Sequence, residues 1–280
     1  MNALFDMHTH TDCSHDGKQT IAQLCQQAQA VGLAGVAVTD HGDSPYITPE
    51  ALRTIARSAR QAAENDRRAT GGLTVLAGVE IGEECWARDA ARALHEQADF
   101  DVILASIHGF WRGGAVHYYA VEPFDAAHYT ADALQLFLQQ YLSAMAENAA
   151  VADYDILAHL DCPLRYINGK YHRGADILRF PTLIDDILRT VIRRGKTLEI
   201  NTSGLAGDWG QRMPQEAIVR RYHALGGRRI SLGSDAHCSA NVAVGFAQTA
   251  AVLADMGFAG ETVYDKRQPV LLPWETASNG

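Results

Sequence analysis

Short apolar segments of strand-like composition alternate with helix-like segments along almost the whole 280-residue chain. The seven strand candidates lie at residues 3–7, 35–38, 73–77, 101–105, 156–158, 197–200 and 229–232. They are nearly continuous apolar runs, as is typical of parallel strands that are covered on both faces. This alternation predicts an α/β fold built from repeated strand–helix units.

The segments between the strands carry helix signals. Thr20 and Gln23 have the spacing of a capping box ahead of an apolar stripe with helical periodicity. Further helices are expected after Thr48, Thr130, Pro181 and Pro214. No linker divides the chain, so we expect residues 1–280 to form a single barrel-like domain, with residues 261–274 as a candidate edge strand. A doubly wound open sheet would give much the same pattern, and periodicity does not decide whether the sheet closes.

Composition excludes several classes of protein. The chain is 47% apolar and 20% charged, which indicates a soluble globular protein with a sizeable core. The sequence lacks an apolar run of about 18 residues and a signal-peptide pattern, and we therefore expect a cytoplasmic protein without membrane contact. Its net charge of −9 makes nucleic acid an unlikely partner. Five scattered cysteines predict reduced thiols, and a homo-oligomer stays open.

The most informative residues follow the strands. His8 and His10 are two apart in an extended segment, so both imidazoles point to one side. Asp16 lies in the next loop, and later strand ends carry His41, Glu80, His108, His159, Asn201, Ser203, Asp235 and His237. In a parallel barrel all these ends meet at one face, where they would form a single site.

Imidazoles and carboxylates without thiolates suit Zn, Mn, Fe or Co. The donors are too many for one ion, so their number predicts a site of two or three metals. His15, beside Asp16, is ambiguous, and the histidines away from strand ends are expected to be surface or structural: His95, His117, His128, His172 and His223.

An amidohydrolase site also begins with His-x-His on its first strand. That scheme usually needs a carboxylated lysine as the bridge between two ions. None of the four lysines in this chain ends an apolar strand, whereas Glu80 stands where a bridging carboxylate is required. The sequence therefore disfavours this alternative.

Taken in order, the motifs resemble those of the polymerase-and-histidinol-phosphatase (PHP) family of metal-dependent phosphoesterases. The resemblance runs through residues 6–11, 16–17, 39–41, 78–80, 106–108, 158–161, 201–204 and 234–237. It implies a distorted TIM-like (β/α)7 barrel and a site of three divalent ions. The implied ligands of the first ion are His8, His10, Glu80 and Asp235; those of the second are Asp16, His41 and His237; those of the third are His108, His159 and the shared Glu80.

Residues 159–166 and 198–204 look most like the stand-alone histidinol-phosphate phosphatases of that family. The resemblance implies that Arg165 clamps the phosphate, because a guanidinium grips phosphoryl oxygens in bidentate fashion. Many relatives carry a second arginine where this chain has Ala206, and Arg212 in the same loop is a candidate replacement. The other candidate substrate contacts are Tyr166, Asn201 and Ser203.

The implied reaction is hydrolysis of a small-molecule phosphate ester, L-histidinol phosphate, to L-histidinol and phosphate in histidine biosynthesis. A metal-bridging hydroxide would attack phosphorus, and Asp235, His237 or a metal-bound water would serve as the acid. The alternative is a nucleotide or oligonucleotide phosphoesterase of the same family, which the acidic charge disfavours. A third hypothesis, a non-enzymatic metal-holding barrel, is disfavoured by the complete ligand set. Residues 86–97 and 110–127 are expected to be loops over the pocket.

Overall fold

A computed structural model describes residues 4–68 and 72–274 of the chain. The strands are β1 (Phe5–Thr9), β2 (Gly35–Val38), β3 (His41–Asp43), β4 (Thr74–Gly82), β5 (Val102–Ser106), β6 (Gly109–Arg112), β7 (Ala115–Tyr118), β8 (Ile156–Leu157), β9 (Thr197–Asn201), β10 (Ile230–Gly233), β11 (Gly260–Asp265) and β12 (Gln268–Pro273). Seven parallel strands follow one another in the main sheet in the order β1-β2-β4-β5-β8-β9-β10, with β3 also paired to β4. These seven correspond to the predicted strands with small shifts of their ends, except that β4 runs five residues beyond its predicted end, to Gly82.

The helices cover the outer face of this sheet. They are α1 (Ile21–Ala30), α2 (Pro49–Arg68), α3 (Arg88–His95), α4 (Ala131–Val151), α5 (Pro181–Arg193), α6 (Glu216–Ala224) and α7 (Phe246–Asp255). The capping box predicted before α1 is confirmed, since Thr20 and Gln23 exchange side-chain and backbone hydrogen bonds. One apolar cluster packs α1 to α3 on the sheet and another packs α4 to α7 on it. Among the described residues, none of the helices has the length and apolar character to cross a membrane.

The two end strands of the sheet meet, which makes the fold a distorted barrel, as predicted. Next to β10, Asp235 donates its backbone N–H to the His8 carbonyl over 2.7 Å, and the His10 N–H reaches the Ala236 carbonyl over 3.0 Å. Lower along the seam, the carboxylate of Glu261 accepts the N–H groups of Phe5 and Leu232, each over 3.1 Å. The sheet is thus closed partly by backbone and partly by a buried side chain.

A β-bulge in β1 directs the first ligand pair into the barrel. Asp6 pairs with Val36 and Thr9 with Val38, so β1 carries one residue more than β2 over this stretch. Met7 packs in the barrel-interior cluster, and the extra residue lets the adjacent His8 point inward as well.

The predicted edge strand at residues 261–274 is wrong in its pairing. This segment forms most of an antiparallel hairpin of β11 and β12, which pair with each other rather than with the main sheet. Lys266 and Arg267 at its tip both have positive φ, the conformation of a tight two-residue hairpin turn. Val263 and Tyr264 of the hairpin pack into the barrel interior at the amino ends of the strands.

Candidate metal centre

Four of the predicted ligands form an inner cluster inside the barrel: His8, His10, Glu80 and Asp235, all of them buried. The Nε2 atoms of His8 and His10 lie 3.0 Å apart. Glu80 Oε2 lies 3.3 Å from His8 Nε2, and Asp235 Oδ1 lies 3.3 Å from His10 Nε2. Four donor atoms therefore surround one small volume.

A rim cluster of Asp16, His41 and His237 lies towards the mouth. His237 Nε2 is 3.2 Å from Asp16 Oδ2 and 3.4 Å from His41 Nε2. The Asp16 side chain is 47% exposed, so this cluster faces solvent on one side.

A lateral cluster is formed by His108 and His159 around the second oxygen of Glu80. Their Nε2 atoms lie 3.1 and 2.9 Å from Glu80 Oε1. Glu80 therefore turns one oxygen to the inner cluster and the other to the lateral cluster, as a bridging carboxylate would. All nine residues that were predicted to bind metal come together at the carboxyl ends of the strands.

Burial and the neighbouring charges shift the pKa values of Glu80 and Asp235 in opposite directions. Burial raises the pKa of Glu80, but His108, His8 and His41 outweigh it and hold this pKa well below its ordinary value. Asp235 behaves in the same way: burial raises its pKa, and the neighbouring imidazoles together with Arg165 bring it well below the usual range. Both groups are therefore ionised acceptors.

The donor set fits divalent cations. Two Nε2 atoms at 3.0 Å can share at most one proton between neutral rings, which leaves a lone pair facing the cluster. His41 Nδ1 and Glu80 Oε2 lie 2.9 Å apart without hydrogen-bond geometry, and neither atom has another hydrogen-bond partner among the described residues. Buried polar atoms of this kind normally have partners, and a cation would bind the free lone pair between His8 and His10 and the unpartnered oxygen of Glu80.

Three residues that sequence reasoning missed contact the Nδ1 atoms of predicted histidine ligands. The Nδ1 atom of His8 lies 2.6 Å from the buried carboxylate of Glu199, and that of His108 lies 3.2 Å from Asp43. Ser14 Oγ lies 3.0 Å from the Nδ1 atom of His10. A signal for Glu199 exists in the sequence, because it is the one charged residue within the apolar strand at residues 197–200.

Arg165 lies beside the inner cluster. It donates hydrogen bonds to Ser203 Oγ over 2.6 Å and to the Tyr166 hydroxyl over 2.8 Å. Its Nη1 atom also lies 3.4 Å from Asp235 Oδ2. Tyr166 lines the cavity, whereas Asn201 and Ser203 do not. Asn201 is buried and accepts the Ser203 hydroxyl over 2.7 Å, so it supports the residue to which Arg165 donates.

Arg212 is not brought to this site. Its guanidinium lies 4.0 Å from Glu216 on α6, and the residue is absent from the lining of the cavity. Sequence proximity to Ala206 suggested otherwise, but the loop directs Arg212 towards the helix that follows it.

The clusters open into a cavity of about 470 Å³, within the range of small-molecule sites. Tyr118, Tyr119, Ala120 and Val121 line it, so part of the segment at residues 110–127 lies over the pocket as expected. The expectation for residues 86–97 is wrong, since most of that segment is α3 and none of it lines the cavity. His15 lines the cavity, whereas the five histidines expected to be surface or structural do not.

Comparison with known proteins gives a family match. The family model of the PHP domain matches residues 6–203. A probable histidinol-phosphatase of Clostridium acetobutylicum is 28% identical over 87% of this chain and 90% of its own length. Another probable histidinol-phosphatase, from Thermotoga maritima, is 28% identical over 91% of this chain and 93% of its own length.

A solved structure shares the fold. The histidinol phosphate phosphatase of Lactococcus lactis subsp. lactis, complexed with zinc, L-histidinol and phosphate, superposes with a TM-score of 0.72. The match covers 96% of this chain and 99% of that one, at 19% sequence identity.

Proposed function

The chain belongs to the PHP domain family, and on that premise we propose that it is a metal-dependent phosphomonoesterase that hydrolyses L-histidinol phosphate to L-histidinol and phosphate. The observation that carries this proposal is the position of Arg165, 3.4 Å from Asp235 of the inner cluster and in the cavity shared with the rim and lateral clusters. A cation next to a bidentate guanidinium suits a phosphate monoester. The names and the extensive coverage of the similar phosphatases support the choice of substrate.

We further propose three divalent ions, one each at the inner, rim and lateral clusters, drawn from Zn, Mn, Fe or Co. When bound, such ions lower the pKa of water and neutralise phosphoryl charge. The chain contributes an imidazole that stays neutral: burial and the neighbouring His41 and His237 lower the pKa of His10, so its lone pair stays available. Glu80 lies between the inner and lateral clusters, so the distance between the two clusters is set by the two oxygens of one side chain.

Arg165 is proposed to orient the phosphoryl group. Ser203 and Tyr166 accept hydrogen bonds from its two terminal nitrogens, which fixes the plane of the guanidinium next to the cavity. Orientation of this kind holds the ester bond in line for attack.

Asp235 and His237 are proposed to handle the proton that the leaving alkoxide takes up. Asp235 Oδ2 lies 3.4 Å from both Arg165 Nη1 and Ser203 Oγ, so this ionised carboxylate can accept a proton and pass it on beside the phosphoryl group that Arg165 orients. His237 lines the same cavity, and the Asp235 backbone carbonyl accepts its Nδ1–H over 2.8 Å.

We also propose that residues 1–280 act as one catalytic domain, because the C-terminal hairpin supplies Glu261 to the barrel seam. A cytoplasmic location stays a prediction, and assembly into homo-oligomers stays open.

Phosphate release tests the substrate. Protein supplied in turn with Mn, Zn, Co or Fe would be given L-histidinol phosphate, sugar phosphates, 3'- and 5'-nucleotides and a phosphodiester. We expect kcat/KM to be highest for L-histidinol phosphate, by at least about tenfold over any other ester. Equal or faster hydrolysis of a nucleotide or the diester would overturn the substrate assignment.

A further inference from the structure

Glu199 joins ligands of two different clusters. It lies on β9 with its side chain inside the barrel and is 1% exposed. Its Oε1 atom accepts a hydrogen bond from His8 Nδ1 over 2.6 Å, and its Oε2 atom accepts the backbone N–H of His159 over 2.6 Å. One buried carboxylate therefore contacts both the inner and the lateral cluster without lining the cavity.

The contact with His8 fixes which ring nitrogen is free. A carboxylate accepts hydrogen bonds, so His8 carries its proton on Nδ1 and presents the lone pair of Nε2 to Glu80 and His10. The opposite tautomer would place an N–H on the inner cluster and leave Glu199 facing a bare nitrogen.

The contact with His159 holds an unfavourable backbone conformation. His159 has φ of +24°, in the left-handed region that non-glycine residues rarely adopt. The hydrogen bond from its N–H to Glu199 fixes the backbone at this point. The ring then turns towards Glu80, to which its Nε2 atom lies at 2.9 Å.

Gly233 on β10 leaves room for this arrangement. A Cβ atom there would lie 2.2 Å from Glu199 Oε1 and 2.7 Å from His8 Cβ. The absence of a side chain at position 233 is therefore what lets the carboxylate reach the imidazole.

We propose that Glu199 is a positioning residue that sets the tautomer of His8 and the orientation of His159 for metal binding. This inference rests on the proposed metal site, but it concerns a residue outside the ligand set. Partners of this kind typically contribute about 10–100-fold to metal affinity.

Glu199→Gln tests it, because an amide has one accepting oxygen where three N–H groups, those of His8, His159 and the Asn201 side chain, need acceptors. Metal-stripped protein would be titrated with zinc alone in competition with a chromophoric chelator. We expect the affinity of the tightest zinc sites to fall about 10–100-fold. The matched control is Glu261→Gln, which alters another buried glutamate, one that accepts two N–H groups but touches no proposed ligand, and its zinc affinity should stay within about twofold of wild type.

A second readout separates positioning from general damage. Zinc-loaded protein with ¹⁵N-labelled histidine should show a slowly exchanging Nδ1–H resonance for His8 in wild type and in Glu261→Gln, and the resonance should be lost in Glu199→Gln. Gly233→Ala adds a Cβ atom against both Glu199 and His8, so it should disturb their contact and weaken zinc binding in the same direction.

The outcomes are distinct. If wild type binds zinc tightly and Glu199→Gln binds it equally well with the His8 resonance retained, the role of Glu199 is overturned while the proposed function stands. If wild-type protein binds no zinc, the proposed metal site is overturned and the role of Glu199 with it.

Discussion

Two regions of the barrel, the carboxyl end of the strands and the seam between β1 and β10, use buried glutamates in opposite ways. Glu80 at the carboxyl end and Glu261 at the seam both have no solvent exposure. Burial raises the pKa of both, but the imidazoles around Glu80 bring its pKa well below the ordinary value, whereas the pKa of Glu261 rises to about 8. Desolvation raises the pKa of Glu261, the backbone N–H groups of Phe5 and Leu232 lower it too little to compensate, and the negative charge of Asp6 raises it further.

The difference shows that the neighbouring groups, rather than burial, decide whether a buried carboxyl group in this chain is charged and suited to bind a cation, or nearly neutral and structural. Imidazoles that gather around Glu80 make it a good cation ligand. Two N–H groups make Glu261 a link between β1 and β10. Substitutions in the two regions should therefore affect different properties.

The largest effect is expected for Glu80→Gln. Loss of the shared charge removes a proposed ligand from both the inner and lateral clusters, and we expect kcat/KM to fall more than about 100-fold, beyond what loss of an outer partner costs. Phosphate release and metal content per chain would measure it. A variant that keeps three ions and near-normal turnover would show that Glu80 does not bridge the clusters.

Arg165→Ala should lower kcat about 100–1,000-fold, since a preorganised cation that faces developing charge typically contributes that much. Metal content should be unchanged, because Arg165 belongs to no ligand cluster. Steady-state kinetics beside metal analysis would check both expectations. Unchanged kinetics would remove Arg165 from the phosphate site.

Glu261→Gln should reduce stability by about 1–3 kcal/mol at neutral pH, because the amide leaves one buried N–H without an acceptor. Between pH 4.5 and about 8, the folded carboxyl is protonated and the unfolded one is not. The free energy of unfolding of wild type should therefore fall as pH rises through this window.

That fall should be smaller in Glu261→Gln, which has no proton to lose at this position. Chemical denaturation at several pH values measures both slopes, with activity of the folded variant as the control. Identical slopes for the two proteins would contradict the raised pKa of Glu261.

The smallest effect is expected for Arg212→Ala. Its ion pair with Glu216 is long and near the surface, so kcat/KM should stay within about twofold and stability within about 0.5 kcal/mol. Steady-state kinetics of Arg212→Ala and Arg165→Ala, measured side by side, would check this expectation. A loss as large as that of Arg165→Ala would place Arg212 at the substrate.

Much of the fold and the ligand set was accessible from the sequence. Both depend on local patterns: apolar strands such as residues 101–105 end in donors such as His108, and parallel topology brings those ends together. The resemblance to the family supplied the grouping of the ligands around Glu80. The spacing of residues along the sequence does not predict that grouping.

What the sequence did not give depends on contacts between distant segments. Arg212 and Ala206 share a loop, yet only the path of that loop decides that Arg212 faces Glu216. Glu261 closes the seam through two contacts, and one of them, with Phe5, joins residues more than 200 positions apart in sequence. Glu199 stood out as a charge in an apolar strand, but its partners come from β1 and from the loop after β8.

The central claim is that hydrolysis depends on the ions these clusters hold. The most direct measurement is phosphate release from L-histidinol phosphate by metal-stripped protein during stepwise addition of zinc or manganese, with bound metal determined at each step. We predict no turnover without metal and a rise that follows occupancy up to three ions per chain. Full turnover by the stripped protein would contradict the account.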